Sequence, residues 1–201
     1  MSRTEPKSTR GQQASEESTL RRRVKDAIVC QKLPPGQKVT ETGLADMLST
    51  SRTVARSLME QLTVQDFLVS ISPRMTRVSP LTVISIKENF LLRKMILPEL
   101  IAMCISNIDL DAITELNQAI ESMNVDKDND EQVLEVLKLN RQYNLKMIAD
   151  SKYPLPVRWA NLLEDMAMRI YWIYVKEHGK LPFAATQHEM QIKAMQEDNP
   201  K

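Results

Sequence analysis

The stretch "STSRTVARSLMEQL", residues 49–62, decides how this chain reads. Ala55, Leu58, Met59 and Leu62 recur at i, i+3, i+4 and i+7, the spacing of one buried helical face. Ser51 stands where an N-cap belongs, with a hydroxyl that can accept from the first free N–H groups of the helix. The opposite face carries Arg52, Thr53, Arg56, Ser57 and Glu60. "STS" at 49–51 is too short for anything but a tight connection between two helices.

Upstream, Thr40 is placed to cap a helix through Leu48, with Leu44, Ala45 and Leu48 facing inward. An extended piece, 37–39, precedes it. "LPPG" at 33–36 ends an earlier helix that bears Leu20, Val24, Ala27 and Ile28 on one face. Downstream, "FLVSISPRMTRVSP" at 67–80 alternates apolar and polar residues and turns at Pro73-Arg74-Met75. Three helices with a tight turn between the last two, followed by a hairpin, describe a winged helix-turn-helix. In that motif the N-terminal end of the second helix meets base edges. Arg52 and Arg56 sit there, and arginine's planar, paired donors suit guanine edges and phosphate oxygens. Thr50, Ser51, Thr53 and Ser57 add hydrogen-bonding groups, and Arg74 and Arg77 place two more cations in the hairpin. The plain alternative for the arginines is a solvated surface.

Charge is divided along the chain. Residues 1–80 hold 13 Lys/Arg against 8 Asp/Glu, whereas 81–201 hold 14 against 18, so a basic front faces a polyanion and an acidic back does not. Residues 1–16 are polar with Pro6 and Gly11 and read as a disordered arm; 17–80 is the winged helix-turn-helix. Beyond Pro80, apolar-periodic segments at about 82–107, 109–124, 129–150, 154–177 and 184–197 carry no strand signal. The fold class expected is therefore mainly α: an N-terminal winged helix-turn-helix, then an all-α bundle of five or six helices over 81–201. No apolar run is long enough to be a signal peptide or a membrane span, so the chain reads as cytoplasmic. Cys30 and Cys104 are far apart and read as small core residues. No nucleophile elbow, glycine-rich phosphate loop or Cys/His cluster is present, which argues against an enzyme.

"KLPPGQKVTETGLADMLSTSRTVARSLMEQL" resembles the GntR family of bacterial transcription regulators. The matching residues are Pro35, Gly36, Val39, Glu41, Leu44, Ala45, Leu48, Ser51, Arg52, Thr53, Arg56 and Leu62. "FLLRKMI" at 90–96, "NRQYN" at 140–144 and "TQHEMQIKAMQED" at 186–198 are similar to motifs of the family's second domain. The resemblance covers about 17 to 198 and implies the FadR-like branch with an FCD-type domain. It implies a homodimer on double-stranded operator DNA, acting as a repressor and associated with the nucleoid, with a small organic-acid effector in the helical domain. It also implies that Arg52 and Arg56 are the main contacts, helped by Thr53 and the wing around Arg74. Three departures stand out: Ser49 for the turn glycine, Val54 and Ala55 for Pro and Val, and Met75 with Thr76 where a wing glycine is usual.

Most of that branch binds a metal through an Asp, a His four residues on, and further histidines. Here the first two positions are Asn140 and Asn144, and only His188 remains, a set that suits no divalent transition metal. Asn140 and Asn144 lie one turn apart on one face; they either hold a ligand carboxylate or a water, or are satisfied internally or exposed. Arg93 and Arg169 are further candidates for an anionic effector. "MRIYWIYV" at 168–175 reads as core or dimer surface, and His178 as exposed. A reading from another class, a protein-interaction module whose winged helix docks on a protein and whose sensing is lost, differs in its salt dependence.

Overall fold

A computed structural model describes residues 8–182 and 185–198, which fall into two compact units, Met1–Pro80 and Leu81–Lys201. In the first unit, α1 (Ser8–Val29) leads to β1 (Lys38–Val39), α2 (Glu41–Leu48), α3 (Arg52–Val64), β2 (Leu68–Ser72) and β3 (Met75–Val78). The strands form one antiparallel sheet in the order β1-β3-β2, with Lys38 opposite Arg77, Val69 opposite Arg77 and an irregularity between Ser70 and Ser72. This is the winged helix-turn-helix expected from the spacing.

Local chemistry explains the boundaries. The Thr40 hydroxyl accepts from the Gly43 N–H and opens α2; the Ser51 hydroxyl accepts from the Val54 N–H and opens α3. Between them Ser49 takes a left-handed conformation, φ 55° and ψ 49°, and its N–H closes the end of α2 on Ala45 and Asp46 carbonyls. Leu44, Leu48, Ala55, Leu58 and Leu62 are all buried, so α2 and α3 face the same core; Met59, expected beside them, is half-buried. Removing a leucine such as Leu58 to alanine costs about 2–5 kcal/mol at a site of this kind.

Helix α1 departs from expectation. Residues 8–16, read as part of a disordered arm, are helical, because after Pro6 nothing in "STRGQQASE" breaks a helix except Gly11, which a helix tolerates. Residues 1–7 of that arm lie outside the described residues. Cys30 also differs: it sits just past α1, half-buried, with its thiol 3.8 Å from the Ala27 carbonyl, while Cys104 is buried as expected.

The second unit contains α4 (Val83–Cys104), a 3-10 turn (Ile105–Asn107), α5 (Leu110–Ser122), α6 (Asp130–Lys146), α7 (Pro154–His178) and α8 (Ala185–Asp198). Thr82 and Ser85 exchange side chain to backbone bonds in a capping box that starts α4, and Asp109 and Asn129 cap α5 and α6. Gly179, at φ 71°, ends α7 in the left-handed conformation that glycine adopts without cost. Leu100, Cys104, Ile113, Tyr143, Ile148 and Ile192 share one apolar core, to which α4, α5, α6 and α8 all contribute. Among the described residues no helix is long and apolar enough to cross a membrane.

Candidate nucleic-acid interface and buried polar seam

The start of α3 presents a cationic face to water. Arg52 and Thr53 are exposed, and Arg56 follows one turn later with 69% of its side chain exposed. The helix dipole adds partial positive charge at the same end. Thr50 is half-buried in the turn. Ser51 is exposed, but its hydroxyl is already engaged as the cap. Arg74 is exposed at the hairpin turn.

Two residues expected on this face are used elsewhere. Ser57 is half-buried and donates to Glu17 Oε1 of α1 at 2.8 Å; Gln61 Nε2 donates to the same oxygen at 2.6 Å, and Arg21 donates to Gln61 Oε1. Glu17 Oε1 thus accepts from both Ser57 and Gln61, and the Ser57 hydroxyl turns toward α1. Arg77 is half-buried in β3 and donates to the Gly36 carbonyl at 2.8 Å, which ties the wing to the "LPPG" turn.

Acidic residues flank Arg56 on this exposed face. Arg56 Nε lies 3.2 Å from Glu60 Oε1 and 4.0 Å from Glu41 Oε1. Exposed pairs of this sort contribute little to stability, about 0.2–1 kcal/mol, and set two carboxylates beside the guanidinium. The Arg56–Glu60 spacing of four was a visible signal; Glu17 and Glu41 carried none, because their pairing depends on how three helices pack.

In the second unit, buried polar groups run through the bundle. Arg93 of α4 is 9% exposed and Glu164 of α7 is 1% exposed, and Arg93 Nη1 donates to Glu164 Oε1. Asn144 of α6 donates through Nδ2 to the other oxygen, Oε2, at 3.0 Å. Burial pushes the Glu164 carboxyl above its ordinary value, and Arg93, Asn144 and Arg141 oppose that push. Next to this triad, Arg141 Nε donates to Asp165 Oδ1 at 2.7 Å, and the Arg93 guanidinium lies over the Tyr171 ring, 5.9 Å from its centre. Asn140 is buried and its Oδ1 has no hydrogen-bond partner among the described residues; Asn89 Oδ1 is in the same condition while its Nδ2 donates to the Leu163 carbonyl. Arg169 is buried, with Nη1 3.9 Å from Met166 Sδ, and desolvation lowers its pKa to about 10.

His188 belongs to a different group. Asn117 Nδ2 donates to Glu121 Oε1 at 2.6 Å, so its Oδ1 faces His188 Nδ1 at 3.0 Å and that nitrogen carries the hydrogen. The ring stacks on Tyr143 with centres 4.1 Å apart, and burial lowers the imidazole pKa. A cleft of about 140 Å³, lined by Ile120, Glu121, Met123, Lys180, Leu181 and His188, opens beside it. The structure thus brings Arg93 and Asn144 together around Glu164, an acceptor that sequence reasoning missed, and gives His188 a partner of its own in Asn117. The signal for Glu164 was an acidic doublet, Glu164-Asp165, between the apolar pairs Leu162-Leu163 and Met166-Ala167 of α7. His178 is exposed, while Tyr171 and Trp172 are buried.

These donors do not fit a divalent metal. Asn140 and Asn144 are neutral amides where the motif has a carboxylate and an imidazole, and Asn144 directs an N–H at Glu164. Among the described residues no three His, Cys, Asp or Glu side chains gather as a metal group.

No protein-family model matches the chain, and no curated protein matches it in sequence. Solved structures do share its fold. E. coli McbR/YncC superposes with a TM-score of 0.66 at 20% identity, covering 91% of this chain and 88% of that one. A Rhodococcus sp. RHA1 protein assigned as a transcriptional regulator GntR gives a TM-score of 0.70 at 15% identity, covering 92% and 88%. A GntR family member from Pseudomonas syringae gives 0.50 at 18%, covering 91% and 76%.

Proposed function

We propose that this chain is a DNA-binding transcription regulator of the GntR family, in the FadR-like branch with an FCD-type domain, and no enzyme. The observation that carries the reading is the start of α3, where Arg52, Thr53 and Arg56 stand exposed on a capped helix end and Arg74 stands exposed at the turn of the following hairpin. The shared fold with solved transcription regulators supports it. In this reading α3 enters the major groove of operator DNA. Arg52 and Arg56 reach guanine edges or phosphates, Thr53 and Thr50 add hydrogen bonds, and the Arg74 turn lies along the backbone.

The protein acts as a cytoplasmic homodimer and represses by occupying its operator. The dimer reading rests on α4, which leaves Ile84, Leu91, Leu92 and Met95 between 43% and 68% exposed, more apolar surface than one helix normally keeps in water. The helical domain takes a small organic acid as effector and needs no metal, as the neutral amides at 140 and 144 indicate. Fluorescence anisotropy with selected genomic fragments tests the reading. Arg52→Ala and Arg56→Ala should each weaken binding by about 1–3 kcal/mol and reduce the salt slope by about one. Unchanged binding in the double variant would mean that α3 is not the reading helix and that the winged helix docks on a protein.

A further inference from the structure

Donors from two helices converge on a carboxylate carried by a third. Arg93 of α4 gives one N–H to Glu164 Oε1, and Asn144 of α6 gives one to Oε2 at 3.0 Å, so each oxygen has its own donor. The carboxylate is 1% exposed and the Arg93 side chain 10%. A guanidinium and an amide meeting the two oxygens of a buried carboxylate is the arrangement by which a protein holds a small acid. Here the acid is tethered to the bundle itself. One turn before each donor, on the same two helices, the buried Oδ1 atoms of Asn89 and Asn140 have no hydrogen-bond partner among the described residues. Two orphaned acceptors beside a filled donor pair mark a polar seam with hydrogen-bonding capacity left over.

We propose that Arg93 and Asn144 form a carboxylate-binding site whose resident occupant is the side chain of Glu164, so that the helical domain carries its own ligand and an external monocarboxylate enters only when that side chain gives way. This rests on reading the domain as a sensor, and it specifies how that sensor is set: the unliganded chain is already in the acid-bound arrangement. The orphaned Asn89 and Asn140 oxygens are the acceptors available to hydroxyl or amino groups of an entering acid.

Chemical rescue tests the assignment. In the full chain, Glu164→Ala leaves the Arg93 charge buried and unpaired and opens a space of carboxylate size. Thermal unfolding is followed in sodium formate, sodium acetate and sodium chloride at equal ionic strength. The Glu164→Ala protein should melt well below the parent chain. Formate or acetate should raise its melting temperature by about 2–4 °C or more above chloride, and neither should move the parent chain. Adding Arg93→Met to Glu164→Ala should abolish the response. An equal response in the parent chain, or none in Glu164→Ala, overturns the proposal. If Glu164→Ala does not remain folded on purification, it is refolded from urea in acetate and in chloride; better soluble recovery in acetate supports the proposal and equal recovery overturns it. None of these readouts involves DNA, so a failed operator test and a failed rescue are separate results.

Discussion

Ser57, on the helix that faces DNA in our reading, gives its hydroxyl hydrogen to Glu17, forty residues earlier on α1. Gln61 adds a second bond to the same carboxylate oxygen and Arg21 braces Gln61, so a four-residue network clamps α1 along the back of α3. Hydrogen bonds to a charged acceptor contribute about 1.5–3 kcal/mol before solvent exposure is discounted, and Glu17 is half-exposed. Glu17→Ala should therefore cost about 1–2 kcal/mol. Ser57→Ala in the same protein should cost less than it does alone, because its partner is already gone. Urea denaturation of the four proteins of this cycle measures the coupling. Strict additivity would show that the network does not stabilise the pairing of α1 with α3.

Ser49 offers a gain instead of a loss. Its φ of 55° is a conformation that costs an L side chain about 1 kcal/mol and glycine almost nothing. Its backbone N–H, which closes α2, does not depend on the side chain. Ser49→Gly should raise stability by up to about 1 kcal/mol, less the extra freedom glycine gains when unfolded, and leave the affinity for DNA unchanged. An altered affinity would mean that the serine hydroxyl itself meets the nucleic acid.

These two sites show what could be read in the chain and what could not. The caps at Thr40 and Ser51, the face formed by Ala55, Leu58 and Leu62, and the five helical segments after Pro80 follow from residues a few positions apart, and their physics is local. The exposed Arg52, Thr53 and Arg56 follow from the same periodicity. Ser57 lies on the border of that face, and only the packing of α1 decides which way it turns. The seam in the bundle is harder still. Arg93 and Glu164 are 71 residues apart, and Asn117 and His188 likewise, so each pairing exists only once α4, α6 and α7, or α5 and α8, have packed. Residue types announced that buried amides and arginines needed partners; they carried no information on which partners.

Helix α4 provides a test of assembly. Leu91 and Met95 are 59% and 61% exposed and lie one turn apart, so they share a face with Ile84 a further two turns back. Leu91→Glu with Met95→Glu would place two charges in any interface built on that face, without disturbing the buried Asn89, Arg93 or Leu100. Sedimentation should show a dimer for the parent chain and a monomer for the variant. Operator affinity should fall with it, because each half-site would then be bound alone. A variant that stays dimeric would place the interface elsewhere.

His188 makes stability depend on pH in a direction that follows from its burial. Desolvation lowers its pKa below the ordinary 6.5, and Glu121 only partly opposes this. Above pH 6.5 the imidazole is neutral in both folded and unfolded chains and contributes no pH dependence. As the pH falls below 6.5 the unfolded chain takes up a proton that the folded chain, still neutral, does not. The unfolded state is favoured progressively until the lower, folded pKa is passed, with a slope of at most about 1.4 kcal/mol per pH unit. The protonated ring would keep its Nδ1–H bond to Asn117, so the loss reflects desolvated charge and not a broken contact. His188→Gln removes the titration while keeping a polar side chain near Asn117. Urea midpoints measured from pH 7.5 to 5 should fall more steeply for the parent chain than for the variant, and parallel curves would show that His188 is protonated as easily when folded as when unfolded.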